Sequence, residues 1–169
     1  MRKSGFFFPI AILAIACSGT MQTTKIIIEK GISISVQQNS DKIKRDSSDV
    51  YYKWETSFDD DNFVIYRYQI TQSDSSNPVR KRQIFKKNID AFIQTFNSKK
   101  IDSTYHFNDN LFQCDLSFDF VHNDDDFRFF GKFLVDKNYF IVFCFQTPFP
   151  VDKSSRNIKD RLFNSIEIK

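Results

Sequence analysis

The second half of the chain alternates between hydrophobic and polar residues with the period of a β-strand. Phe112, Cys114, Leu116, Phe118 and Phe120 interleave with Gln113, Asp115, Ser117 and Asp119, which predicts one buried and one polar face. Across the turn His122-Asn123-Asp124-Asp125-Asp126 the alternation resumes at Phe127, Phe129, Phe133 and Val135. After Asp136-Lys137-Asn138, residues 139–145 are apolar on both sides. That run predicts a central strand covered on both faces, ended by Pro148 and Pro150. A strand over residues 104–107, with Asn108-Asp109-Asn110 as its turn, precedes this meander.

The first half carries shorter signals. Ile26-Ile27-Ile28 and the alternating Ile32, Ile34 and Val36 flank Gly31, a turn signal between two β-branched runs. Residues 37–49 are polar and aperiodic and read as the longest loop. Tyr52, Trp54, Thr56 and Phe58 alternate, and the acidic turn Asp59-Asp60-Asp61-Asn62 leads into the strand at residues 63–70, a hairpin. Asn77-Pro78 supplies an N-cap and a proline at the first helical position. From 80 to 99 the period becomes helical: Phe85, Ile89, Phe92, Ile93 and Phe96 fall within a stripe about 100° wide, with Ile84 off it. Ile158, Leu162 and Phe163 repeat helical spacing over residues 152–164, and Ile166 and Ile168 read as a short closing strand. Strands, a helix, meandering strands, a helix and a strand make an α+β domain, an antiparallel β-sheet flanked by helices.

The N-terminus has a different grammar. Arg2 and Lys3 precede an uncharged run over residues 6–16. That run falls short of the about 20 residues a membrane-spanning helix needs. Residues 1–16 therefore read as a secretory signal peptide, with small Ala14 and Ala16 before Cys17. Leu13-Ala14-Ile15-Ala16-Cys17 resembles a relaxed bacterial lipobox, with Ala14 where Leu is usual. In lipoproteins such a Cys is the lipidated first residue of the mature protein. The resemblance implies a diacylglycerol, with palmitate-type chains, on Cys17. Residues 17–25 then form a lipidated N-terminus and tether, and residues 26–169 a single domain. The alternative is ordinary cleavage after Ala16, leaving Cys17 a plain thiol. No acidic residue closely follows Cys17; by resemblance to bacterial sorting signals, this implies an outer membrane's inner leaflet, facing the periplasm.

The domain itself is similar to the PsbP-like family. The features that match are Gly31-Ile32-Ser33-Ile34-Ser35-Val36, the amphipathic helix ending near Lys99, Tyr139-Phe140-Ile141-Val142-Phe143 before a proline, and Leu162-Phe163-Asn164-Ser165-Ile166. Gln37-Gln38 departs from it, since family members usually have Pro and then Trp there. The resemblance implies an α/β/α sandwich around an antiparallel sheet and no enzyme activity.

Composition narrows the chemistry. The 169 residues are 41% hydrophobic and 17% aromatic, with 21 Phe but only 4 Gly, which excludes collagen-like and glycine-loop nucleotide-binding designs. Removing Arg2 and Lys3 from 24 basic residues leaves 22 against 21 acidic ones, so nucleic acid is not an expected partner. Arg80, Lys81, Arg82, Lys86 and Lys87 cluster in the helix sequence but scatter around its circumference, which reads as a solvated surface.

His106, His122, Cys114 and Cys144 show no close pair of the kind a four-ligand zinc site uses. Cys114 and His122 lie eight residues apart on one strand, about 27 Å at 3.4 Å per residue, which excludes a thiol–imidazole pair. The acidic turns at 59–62 and 123–126 are calcium candidates, but Asp and Asn are also ordinary turn residues. The Phe-rich strands are either core or the lining of a lipid cavity. A meander turning near Lys137 puts Cys114 level with Val135 and sets Cys144 about 17 Å away, so both thiols are expected free. These readings converge on a non-catalytic, membrane-anchored lipoprotein of the bacterial cell envelope. It is a binding or accessory module with an envelope protein partner and without cofactor, metal or disulfide. The alternative is a periplasmic carrier of a small apolar ligand or lipid.

Overall fold

The alternating Phe segments fold into one side of a large antiparallel sheet. The computed structural model describes residues 23–37, 44–47, 51–70, 77–96, 98–107, 111–136 and 139–169. Their elements are β1 (Thr23–Glu29), β2 (Ile32–Gln37), β3 (Lys44–Ser47), β4 (Tyr51–Phe58), β5 (Asp61–Gln69), α1 (Pro78–Gln94), β6 (Lys99–Phe107), β7 (Leu111–His122), β8 (Asp125–Asp136), β9 (Tyr139–Pro148), α2 (Lys153–Asn164) and β10 (Glu167–Ile168). Seven strands pair in the order β3-β4-β5-β9-β8-β7-β6, and three in the order β1-β2-β10. Every pairing is antiparallel. β9 stands in the middle of the large sheet and is buried on both faces from Phe140 to Phe145, as its unbroken apolar run requires.

Turn chemistry sets the register. His122 pairs with Asp125, so Asn123 and Asp124 alone make the β7–β8 turn, with φ of 52° and 67°. Two successive left-handed residues match the twist of the flanking strands, and Asn and Asp tolerate that region best after Gly. Phe58 pairs with Asp61 across Asp59, whose φ is 52°. Both acidic turns thus answer a backbone demand. Gly31 (φ 90°) turns β1 into β2, and a Cβ there would stand 2.9 Å from the Lys169 carbonyl oxygen.

α1 is capped by the Asn77 Oδ1, which accepts from the backbone N–H of Val79 (3.0 Å) and Arg80 (3.2 Å). Its buried Phe85 and Ile89, with Phe92, Ile93 and Phe96, cover one face of the sheet. α2, capped by Asp152 accepting from Ser155 N–H at 2.7 Å, shares the opposite face with β1, β2 and β10. The α+β class holds, and a three-stranded sheet supplements the second helical layer of the expected sandwich.

Several boundaries move. β1 begins at Thr23, so it takes in residues assigned to the tether. β3 lies within the stretch read as a loop; an edge strand has no need of the apolar alternation that marks a buried one. α1 ends at Gln94, and Lys99, read as its last residue, starts β6. The turn after β7 sits one position earlier than expected, so Cys114 pairs with Phe133 instead of Val135.

Candidate functional site

Cys17, the segment 1–16 read as a signal peptide, and residues 18–22 lie outside the described residues. His106 and His122 are exposed on β6 and β7; His106 Nε2 is 4.0 Å from Asp115 Oδ2. Cys114 and His122 both belong to β7, and that extended strand keeps them apart. Cys114 and Cys144 are free and buried. Cys114 pairs with Phe133 and Cys144 with Gly131, both on β8 between them. Two strand spacings alone separate them by about 10 Å, beyond the roughly 7 Å limit of a disulfide. Burial pushes the Cys114 thiol up to about 11 and the Cys144 thiol higher still, so both stay protonated at neutral pH. Among the described residues no group of three or more His, Cys, Asp or Glu could hold a metal ion.

The basic cluster of α1 departs from the expectation of a solvated surface. Lys81 is buried, with its Nζ 5.3 Å from the Phe112 ring centroid. Arg82 lies 4.0 Å above Phe107 and Lys86 5.8 Å from Tyr105. Long cationic side chains bury their stems and hold their charge over ring faces, a use that circumference alone does not reveal.

Two clefts arise because neither covering layer spans the whole sheet. On the α1 face the helix leaves β5 partly open. Tyr66, Tyr68, Ile70, Phe140 and Val142 then form the floor, and Ala91 and Phe92 the wall, of a groove of about 440 Å³. The rings of Tyr66 and Tyr68 stack with centroids 6.1 Å apart, and Tyr68 is 41% exposed. On the opposite face α2 stops short of β7 and β6, leaving a charged ledge of about 350 Å³. Lys132 pairs there with Asp115 at 2.9 Å and Lys159 with Asp160 at 2.6 Å. The groove is largely apolar with an aromatic floor, whereas both lysines of the ledge are already paired with its carboxylates.

No protein-family profile matches the chain, and no curated protein matches it. Among solved structures, the chain is similar to CyanoP, the cyanobacterial PsbP of Synechocystis sp. PCC 6803. The match has a TM-score of 0.56 at 14% identity, and covers 94% of this chain and 99% of that one. The fold is PsbP-like. A mutant of the protein Mog1 aligns with a TM-score of 0.49 and 9% identity, over 88% of this chain and 96% of its own. Within the PsbP-like frame, the groove and the ledge occupy the half-faces that the helices leave open.

Sequence reasoning also missed one buried polar pair. Asp61, 4% exposed, accepts a hydrogen bond from Ser155 Oγ at 2.9 Å. The bond ties the β4–β5 hairpin to the first turn of α2. Burial raises the Asp61 pKa from its ordinary value, against the lowering effect of hydrogen bonds from Thr147 and Ser155. Asp61 looks in sequence like one more turn aspartate, and only its partner 94 residues away distinguishes it.

Proposed function

We propose that this chain is a non-catalytic binding module of the bacterial cell envelope, held to a membrane by acyl chains on Cys17. The observation that carries the reading is a basic start and an uncharged run over residues 6–16 that end directly at Cys17, followed almost at once by a folded domain. β1 starts at Thr23, so residues 18–22 alone link the anchor to the sheet. Six residue steps from Cys17 to Thr23 span at most about 21 Å even at full covalent extension, so the domain sits close to the bilayer. No helix of the described residues is long and apolar enough to cross a membrane, and the lipid supplies the attachment. One acyl chain holds a protein marginally, whereas two or more hold it stably. The inner leaflet of an outer membrane is the proposed site, with an envelope protein as partner. In a bacterium that processes lipoproteins, Cys17→Ala should move the protein out of the membrane fraction and leave its thermal unfolding unchanged. Wild-type protein found wholly soluble after lysis overturns the reading.

A second reading, a carrier of a small apolar ligand, is favoured by the aromatic groove beside α1. Ala91→Trp would fill that groove. Native mass spectrometry should then show an apolar adduct on the wild type that is lost in the variant; wild-type protein purified without any adduct counts against a carrier.

A further inference from the structure

The edge of the large sheet carries a feature that neither cleft explains. Among the described residues β6 is the outermost strand of the large sheet, and β7 is its one strand partner. A bulge interrupts its register between Lys99 and Asp102, but from Asp102 to Phe107 the ladder is regular. One side of that stretch therefore offers backbone N–H and C=O groups to a further strand. Above it stand Arg82, over Phe107, and Lys86, over Tyr105. Several other cations meet carboxylates, as in Arg67–Glu29, Lys132–Asp115 and Arg128–Asp119. Among the described residues Arg82 and Lys86 join no ion pair.

The spacing of these groups is in step. Residues four apart on a helix are separated by about 6 Å along its axis, and residues two apart on a strand by about 6.8 Å. A strand added beside β6 would place alternate side chains opposite Tyr105 and Phe107, beneath Lys86 and Arg82. Carboxylates at those positions would meet both cations. We propose that the β6 edge, with Arg82 and Lys86 above it, docks an extended acidic segment of a partner polypeptide as an eighth strand. Main-chain bonds supply the attachment in such strand addition, and alternate side chains supply the selectivity. Bulges and lysines also protect sheet edges from unwanted pairing. Here the bulge and the strand's own Lys99 and Lys100 come before Asp102 and leave the regular stretch open, and Arg82 and Lys86 stand on α1 instead of on the strand.

This proposal names a partner chemistry for the binding module and is independent of the lipid. The test uses the full chain carrying Cys17→Ala, so loss of anchoring and loss of docking are read separately. The probe is a short synthetic peptide in which Glu and Thr alternate. It should bind by fluorescence anisotropy and slow amide hydrogen exchange in residues 102–107. Its affinity should fall at least tenfold in Arg82→Gln/Lys86→Gln, with the melting curve of that variant unchanged. A Lys–Thr peptide, and a Glu peptide with Pro at every Thr position, should not bind. Equal binding of the Pro-containing peptide, binding without protection of residues 102–107, or binding only to phosphatidylglycerol vesicles would each overturn the proposal.

Discussion

The two faces of the seven-stranded sheet are filled by different chemistry. The α1 face is built of rings: Phe85, Phe112, Phe118, Phe129, Phe133 and Phe140 form its centre. Phe118 and Phe129 stack with centroids 4.6 Å apart, and Phe92 meets Phe133 edge-on at 5.2 Å. The α2 face mixes rings with aliphatic residues, among them Ile26, Ile28, Ile32, Ile34, Ile65, Leu134, Ile141 and Leu162. The difference follows from what covers each face. A single helix must fill the space above β6 to β9, and large rings reach sideways from both partners. On the other face a second sheet lies over the first, and β-branched side chains suit packing between pleated surfaces. Core composition here reports the covering layer.

Truncating one residue on each face tests that contrast. Phe129 is 0% exposed and touches four other rings. Phe129→Ala should cost about 3–5 kcal/mol, whereas Ile141→Val should cost about 0.5–1.5. Denaturant unfolding with unchanged m-values checks the comparison, and equal losses would break it. Next comes Gly131, which leaves room for the rings: a Cβ there would stand 2.5 Å from Phe129 and 2.7 Å from Phe133. Gly131→Ala should destabilise by about 1–3 kcal/mol through overpacking, and a partial recovery in Gly131→Ala/Phe129→Leu would locate the clash.

The smallest effect concerns Asp61, at the end of the other face. Its raised pKa means that the native state holds this proton more tightly than the unfolded chain does. The stability linked to that proton is present below the ordinary Asp pKa of about 4 and is lost as pH rises through the native value. Asp61→Asn keeps an acceptor for Ser155 and removes the ionisation. The variant should therefore lose this decline on its way to neutral pH; parallel stability profiles for both proteins would refute the assignment.

Much of this architecture was legible in the sequence, and the exceptions have physical causes. The Phe alternation, the helical stripe on α1 and the apolar run of β9 all report burial, and burial imposes periodicity. Edge positions escape such reading. β3 hides in a polar stretch, and the start of β6 runs on from the helical pattern before it, because neither needs an alternating face. The β7–β8 turn was misplaced by one position because Asn123-Asp124-Asp125-Asp126 offers several equivalent turn pairs, and the backbone selects one. At the candidate sites, the ring-held cations Arg82 and Lys86 depend on β6 and the groove depends on where α1 stops covering β5. Both are properties of packing between distant segments. The proposed anchor is the reverse case: its signal at Cys17 is read from the sequence, and Cys17 lies outside the described residues.

The most direct measurement is the mass of the N-terminal peptide taken from the protein in bacterial membranes. The account expects a chain that starts at Cys17 and carries diacylglycerol on the sulfur, with acylation of the freed amine in a diderm host. A chain starting at Cys17 with an unmodified thiol, or one cleaved at another residue, would contradict it.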